Sequence, residues 1–277
     1  MLNFIRRKIK KYQLKRTFKE YGFKITKIDL GKHGVIDYAT WLHPLYNTEP
    51  ITQKHVDFYK QFISEGGFAI DIGAHQGDTT VPMAIAASKS GLVLALEPNP
   101  HVYPALLENA KLNPDLLKIV PLPFAATSTD GEYTFGSGDA AYGNGGIVGF
   151  STNKASNVRY KFNVTGKNLE KYIDSYYSEY LPKLQLIKTD AEGYDKEILK
   201  SLQPYFKKYR PAIISECFSQ LIPSERYELF DIFSQHNYHV YFLDGQENRP
   251  SIKLERQQMT NWKHFDIIGL PKERPVI

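Results

Sequence analysis

Residues 68–80 read "FAIDIGAHQGDTT". A short apolar run ends on an acid, a loop with two glycines follows, and hydroxyl residues open a predicted helix. A buried strand that turns through glycine into a helix confines the chain to α/β architectures. The alternation continues downstream. "GDTTVPMAIAASKS" predicts a helix that Gly91 terminates, and "LVLALEP" a second buried strand. "NPHVYPALLENAKLN" predicts a second helix, with Asn99 as N-cap and Pro100 at its first position. "LLKIVPLPFAA" predicts a third strand, and "LQLIKTD", "PAIISECF", "YHVYFLD" and "HFDIIGLP" predict four more. Helices are expected in "GYDKEILKSLQPYF" and in "SERYELFDIFSQH", the second capped by Ser224. Apolar strands alternating with helices imply a parallel sheet covered on both faces. Only a polar loop separates the last two strands, so they are expected to pair antiparallel.

The flanking regions read differently. Residues 25–50 suggest short strands, with "IDYATWL" foremost, and "QKHVDFYKQFIS" has helical spacing stopped by Gly66 and Gly67. "GEYTF" and "RYKFNVTG" read as edge strands. Between them, residues 136–157 hold six glycines before position 150, which predicts a loop without regular structure. Such a loop is either a functional lid or a plain insertion. The expected division is 1–64, a basic N-terminal helix with short strands and a lead-in helix, and 65–277, the α/β domain.

The net charge of +5 has a location. Residues 1–24 carry nine Lys/Arg and one Glu, a local +8 that leaves −3 for the rest. The body is therefore not a basic nucleic-acid binder. Leu2, Ile5, Ile9 and Tyr12 fall on one helical face of that tail. The tail either packs its apolar stripe on the body or makes a peripheral contact with anionic lipid or an acidic partner. Cys217 is the one cysteine, so no intramolecular disulfide or thiolate cluster forms. No apolar run approaches the ~20 residues of a membrane helix, and a cytoplasmic location is expected, membrane-peripheral if the tail binds lipid.

The glycine loop constrains its ligand. Gly73 and Gly77 let the backbone come close, and Glu97 closes the second strand twenty residues past Gly77. An acid there is set to accept both ribose hydroxyls of a nucleoside. A dinucleotide fingerprint would need glycine where Asp71 stands. An acid at that point repels a pyrophosphate and suits an ammonium group, which favours S-adenosylmethionine over a nicotinamide cofactor. The bland alternative is that Asp71 and Glu97 only cap neighbouring helices.

At this point the chain resembles a known family. "AIDIGAHQGDTT", "LALEPNPHVYPALLENAKLN", "AATSTDGEYTF", "LIKTDAEGYDKEILKSL" and "HFDIIGLP" look like the FkbM-type methyltransferases, in order, over about residues 65–270. The resemblance implies a Rossmann-like class I fold: a seven-stranded, mostly parallel sheet with an antiparallel last strand. It implies S-adenosylmethionine-dependent O-methylation of sugars, polysaccharides or natural products. It implies that Asp71, Gly73, Ala74 and Gly77 line the methionine end of the donor and that Glu97 holds the ribose. Ala125 and Ala126 would then lie near the adenine, and Asp190 and Glu192 next to the transferring methyl. Many members have Asn where this chain has His75, which either flanks the loop or brings an imidazole near the donor.

A sugar hydroxyl is a weak nucleophile, so a general base is expected. Lys188, Asp190 and Glu192 share one face if the strand continues that far. The expected base is Asp190 or Glu192, then His75. Glu192 is alternatively an N-cap for a helix starting at Gly193, and Lys188 alternatively a salt-bridge partner. No metal is expected, since two acids lack a clear third ligand. His264 is placed on the substrate side in some arrangements, and Tyr142 is available to stack on a sugar. The competing readings are an RNA methyltransferase gripping through the basic tail and a non-enzymatic nucleotide-binding module.

Overall fold

The structure is a computed structural model that describes residues 12–46, 50–140, 142–149, 158–244 and 249–274. The basic amphipathic helix expected at the N-terminus falls largely outside these residues. Of its described part, only 12–14 are helical before the chain leaves the helix. Two antiparallel strands follow, β1 (Phe23–Asp29) and β2 (Val35–Trp41). The outer edge of β2 is not left open. Asn109 and Asn113 side chains bond the backbone N–H and C=O of Ala39 and Asp37, and Gln76 Oε1 accepts the Trp41 N–H at 2.7 Å. Such covering satisfies an edge that would otherwise recruit another strand.

The central sheet takes β3 (Phe68–Ile72), β4 (Leu92–Leu96) and β5 (Ile119–Leu122) from the first alternating region. A smaller sheet is built from β6 (Ala125–Thr127), β7 (Gly131–Ser137), β8 (Gly146–Ile147) and β9 (Tyr160–Asn168). The central sheet then adds β10 (Leu184–Thr189), β11 (Ala212–Cys217), β12 (Tyr238–Asp244), β13 (Arg249–Lys253) and β14 (Phe265–Pro271). Its order is β13-β12-β14-β11-β10-β3-β4-β5. β5, β4, β3, β10 and β11 run parallel to one another, and β14 runs antiparallel to both β11 and β12.

All five residues of β3 and of β4 are buried, as a parallel strand covered on both faces requires. Their side chains divide with period two. Phe68, Ile70, Ile72, Leu92, Leu94 and Leu96 enter one core with the helices Leu169–Tyr176 and Asp195–Ser201. Ala69, Val93 and Ala95 enter the other, with Val81, Ile85 and Ala86 of helix Thr80–Ala87 and with Ile36 and Tyr38 of β2. Each fully buried Leu or Ile contributes about 1.5–3 kcal/mol over leaving it exposed.

Several expectations are corrected. The sheet has eight strands, because β13 from the loop between the last two predicted strands adds to the edge of β12. That loop also holds a 3₁₀ turn, Arg256–Thr260, where none was expected. The third predicted strand breaks in two. β5 ends at Leu122 in the central sheet, while Ala125 and Ala126 belong to β6 of the smaller one. Pro121 and Pro123 lack N–H groups and limit this run to an edge. The second helix starts at Tyr103 rather than beside Asn99, whose Oδ1 instead receives the His101 N–H in a preceding turn. "GYDKEILKSLQPYF" splits at Leu202 because Pro204 begins a new helix, Gln203–Lys208. Helix Thr80–Ala87 ends on Ser88, at φ 61, before Gly91 is reached. Ser224 lies inside helix Pro223–Ser234, and Glu225 supplies the cap by accepting the Ile222 N–H.

Candidate active site

The C-terminal ends of β4, β3, β10 and β11 meet along one edge of the sheet, and the antiparallel β14 brings its first residue there, Phe265 opposite Cys217. A crevice at such an edge is where open α/β sheets bind ligands. Here it holds a cavity of about 420 Å³. One end is lined by Gly73, Leu96, Glu97, Phe124, Ala125 and Ala126, and the other by Glu216, Phe218, Ser219 and His264. Asp190 and Glu192 lie between, and Gly143–Ile147 form part of the wall.

Glu97 is buried, and both its oxygens are engaged. The His75 N–H donates to Oε2 at 2.8 Å and the Asn99 N–H to Oε1 at 2.7 Å. Burial pushes its carboxyl up to about 7. Each oxygen keeps a further lone pair, so the group still accepts from a ligand hydroxyl. Gly73 adopts φ 78, and a Cβ there would lie 1.9 Å from the Asp190 carbonyl oxygen. Only glycine lets the β3 and β10 ends pass this closely. The loop's N–H groups are not a free row, however. Gly73 and Ala74 both donate to the Leu96 carbonyl, and Gly77 donates to Ala74.

The structure separates the remaining predicted residues. Asp71, Ala74, Gly77 and Lys188 do not line the cavity. Asp71 is fully buried, with Thr79 and Thr80 hydroxyls donating to Oδ2 at 2.8 and 2.6 Å. Its other oxygen faces the Lys188 ammonium at 3.6 Å, so its charge is met inside the protein and not offered to a ligand. Lys188 also reaches Asp190 at 3.6 Å. Burial alone would lower the Lys188 pKa, but Asp71 and Asp190 raise it well above the usual lysine value. Lys188 is the salt-bridge partner of the alternative reading, and its face does not extend to Glu192. β10 ends at Thr189, and Glu192 sits in a turn at φ 52, its Oε1 accepting from Asn144 Nδ2 at 2.9 Å. Burial pushes the Glu192 carboxyl up to about 7. Nor does Glu192 cap the following helix. Asp195, the first helical residue, closes the preceding turn instead, accepting from Thr189 Oγ1 and from the Ala191 and Gly193 N–H groups.

His75 turns the loop at φ 49 and lines the cavity. Its Nε2 lies 3.1 Å from the Gly143 carbonyl, which fixes the proton on Nε2 and leaves Nδ1 bare. The ring stacks on Tyr46 at 3.9 Å, and burial pushes its pKa down to about 4. The glycine-rich segment is thus tied down. Gly143 bonds His75 and Asp139, the Tyr142 carbonyl accepts from Asn99 Nδ2 at 2.8 Å, and β8 pairs with β7. The expectation of no regular structure is corrected for its described part. The Tyr142 ring is stacked on His101 and is not on the cavity wall.

His264 does face the cavity, and it meets a residue that sequence reasoning missed. Its Nε2 is 3.4 Å from Oε1 of Glu216. Glu216 is 5% exposed, and its Oε2 has no hydrogen-bond partner. Burial, reinforced by Asp190 and Asp195, pushes its carboxyl up to about 11. The available signal was an acid at the C-terminal end of "AIISEC", the position Glu97 marks after "LVLAL". Among the described residues no three His, Cys, Asp or Glu side chains converge as metal ligands, and no helix is long and apolar enough to cross a membrane.

An α/β sheet with a reversed last strand, a strand-end crevice and an acid past its second parallel strand has the Rossmann-like class I methyltransferase fold. Residues 71–240 match the methyltransferase FkbM domain, and the chain belongs to that family of S-adenosylmethionine-dependent methyltransferases. Among solved structures, an FkbM methyltransferase from Methylobacillus flagellatus is 13% identical, with a TM-score of 0.46, over 77% of this chain and 50% of that one. This chain therefore spans half the length of that relative. An S-adenosylmethionine-dependent O-methyltransferase from Thermotoga maritima is 11% identical, with a TM-score of 0.43, over 92% of this chain and 79% of that one. A putative O-methyltransferase from Klebsiella pneumoniae is 13% identical, with a TM-score of 0.42, over 82% and 83%. No curated protein sequence matches at a significant level.

Proposed function

We propose that this protein methylates a hydroxyl of a sugar, polysaccharide or natural-product acceptor. The observation that carries the reading is the two-ended cavity. One end joins a buried acid, Glu97, to the apolar surface of Leu96, Phe124, Ala125 and Ala126. That combination suits an adenosine, with Glu97 accepting ribose hydroxyls and the apolar residues flanking adenine. Gly73 leaves room for the methionine chain of the donor, and half-exposed Asp190 faces its ammonium. The residues fit the group, and when bound it supplies an electrophilic methyl with a neutral thioether as leaving group. The other end, with Phe218, Ser219 and His264, supplies an apolar face and polar groups of the kind that hold a sugar. Aligning the acceptor and excluding water are then the protein's main contributions.

The test has two arms. S-adenosylhomocysteine at 100 times its Kd stabilises by about 2.7 kcal/mol, so the melting temperature rises by roughly 5–10 °C. Labelled donor incubated with methyl glycosides and free amines then reports the accepting atom. Label on glycoside oxygen supports the reading, and label on amines alone overturns it.

A further inference from the structure

The carboxyl groups beside the cavity differ in what already holds them. Asp190 is met by Lys188, Glu192 receives Asn144, and Glu97 receives two backbone N–H groups. The His75 Nε2 is committed to Gly143. Glu216 is the exception among the carboxyls: it is 95% buried, lines the cavity, and keeps Oε2 without a partner, while the bare Nδ1 of His75 belongs to the loop beside Glu97. The charged groups around it are Asp190, Glu192 and Asp195 just beyond β10, Asp266 of β14 and His264 just before that strand. All but His264 are acids. A carboxyl so placed holds its proton until positive charge arrives.

We infer that Glu216 is the proton acceptor for the attacking hydroxyl, and that it enters its basic form when the cationic donor fills the cavity. The inference rests on the oxygen-acceptor reading above. Glu216 sits at the end of the cavity opposite Glu97, where an acceptor would lie. In the transfer the hydroxyl oxygen bonds the methyl carbon, and the carbon–sulfur bond breaks with its electron pair left on sulfur. The hydroxyl proton goes to Glu216 Oε2. His264, on the other carboxyl oxygen and half-exposed, passes it to solvent. The protein is thereby a base only while loaded, and the empty state keeps the carboxyl protonated.

The test needs no acceptor. Titration calorimetry at pH 8, in phosphate and in Tris, counts the protons exchanged on binding S-adenosylmethionine and S-adenosylhomocysteine. S-adenosylmethionine, which carries the extra positive charge, is expected to release about one proton more. In Glu216→Gln, which keeps the shape of the side chain, both ligands bind and the difference disappears. Equal proton counts in the wild-type protein, or a difference that survives in Glu216→Gln, overturn the inference. With a glycoside acceptor, Glu216→Gln lowers kcat about 100-fold and flattens its pH profile. Methyl transfer to amines alone would overturn the acceptor reading and leave the proton count unaffected.

Discussion

Glu97 and Glu216 are both buried acids at strand ends, but their surroundings give opposite responses to the same substitution. Glu97 accepts two N–H groups, so Glu97→Gln turns an amide N–H₂ toward a backbone donor. That substitution costs about 1–3 kcal/mol, seen as a lower melting temperature of the empty protein and weaker S-adenosylhomocysteine binding. Glu216 accepts no N–H group. Its unfolded carboxyl ionises near 4.3, while the folded one holds its proton to about 11. Between those values the unfolded state loses its proton first, so stability falls as pH rises. Glu216→Gln does not titrate, and its melting temperature exceeds the wild type by a margin that grows from pH 5 to pH 9. A constant margin would contradict this. Asp71 shows what the sequence conceals. Its place in the motif was legible, but the ion pair that occupies it depends on Lys188, which lies more than a hundred positions downstream and pairs with it across β3 and β10.

At the scale of elements, buried strands were readable because parallel strands covered on both faces have uninterrupted apolar sequences. Helix limits shifted because side chains that could have capped a helix are engaged elsewhere, as Asn99 is with the Tyr142 carbonyl and Asp195 with Thr189. The tight crossing of the β3 loop over β10 gives a direct comparison. Gly34→Ala, at φ 80 and ψ −171 with open space around it, costs about 1–3 kcal/mol of backbone strain. Gly73→Ala, at φ 78, adds a collision with the Asp190 carbonyl, so its melting temperature falls further and donor binding is lost. Thermal melts of both variants check this. His75→Phe keeps the stack on Tyr46 and removes the bond to Gly143. Amide exchange in residues 142–147 is then expected to rise at least tenfold, measured by mass spectrometry.

The whole molecule depends on a strand that arrives last and lies between two others. β14 joins β11 to β12, and Gly269 lies in it where a Cβ would meet the Phe233 ring at 2.3 Å. A chain ending at Lys263 strips one edge of β11 and one edge of β12 of their partner, separates the β12–β13 pair from the rest of the sheet, and is expected to yield no cooperative melting transition. The strand reversal was legible because the segment between the last two predicted strands reads as a polar loop without a helix. The eighth strand was not, since β13 gains its place only by pairing with β12. The order β10-β3-β4-β5 also has a kinetic meaning. β3, β4 and β5 are near neighbours in sequence, whereas joining β10 to β3 brings together partners such as Ser64 and Gln185, 121 positions apart. Long loops close late and slowly. The Glu97 end of the crevice therefore assembles early in folding, and the Glu216 end follows only when the two halves of the sheet dock.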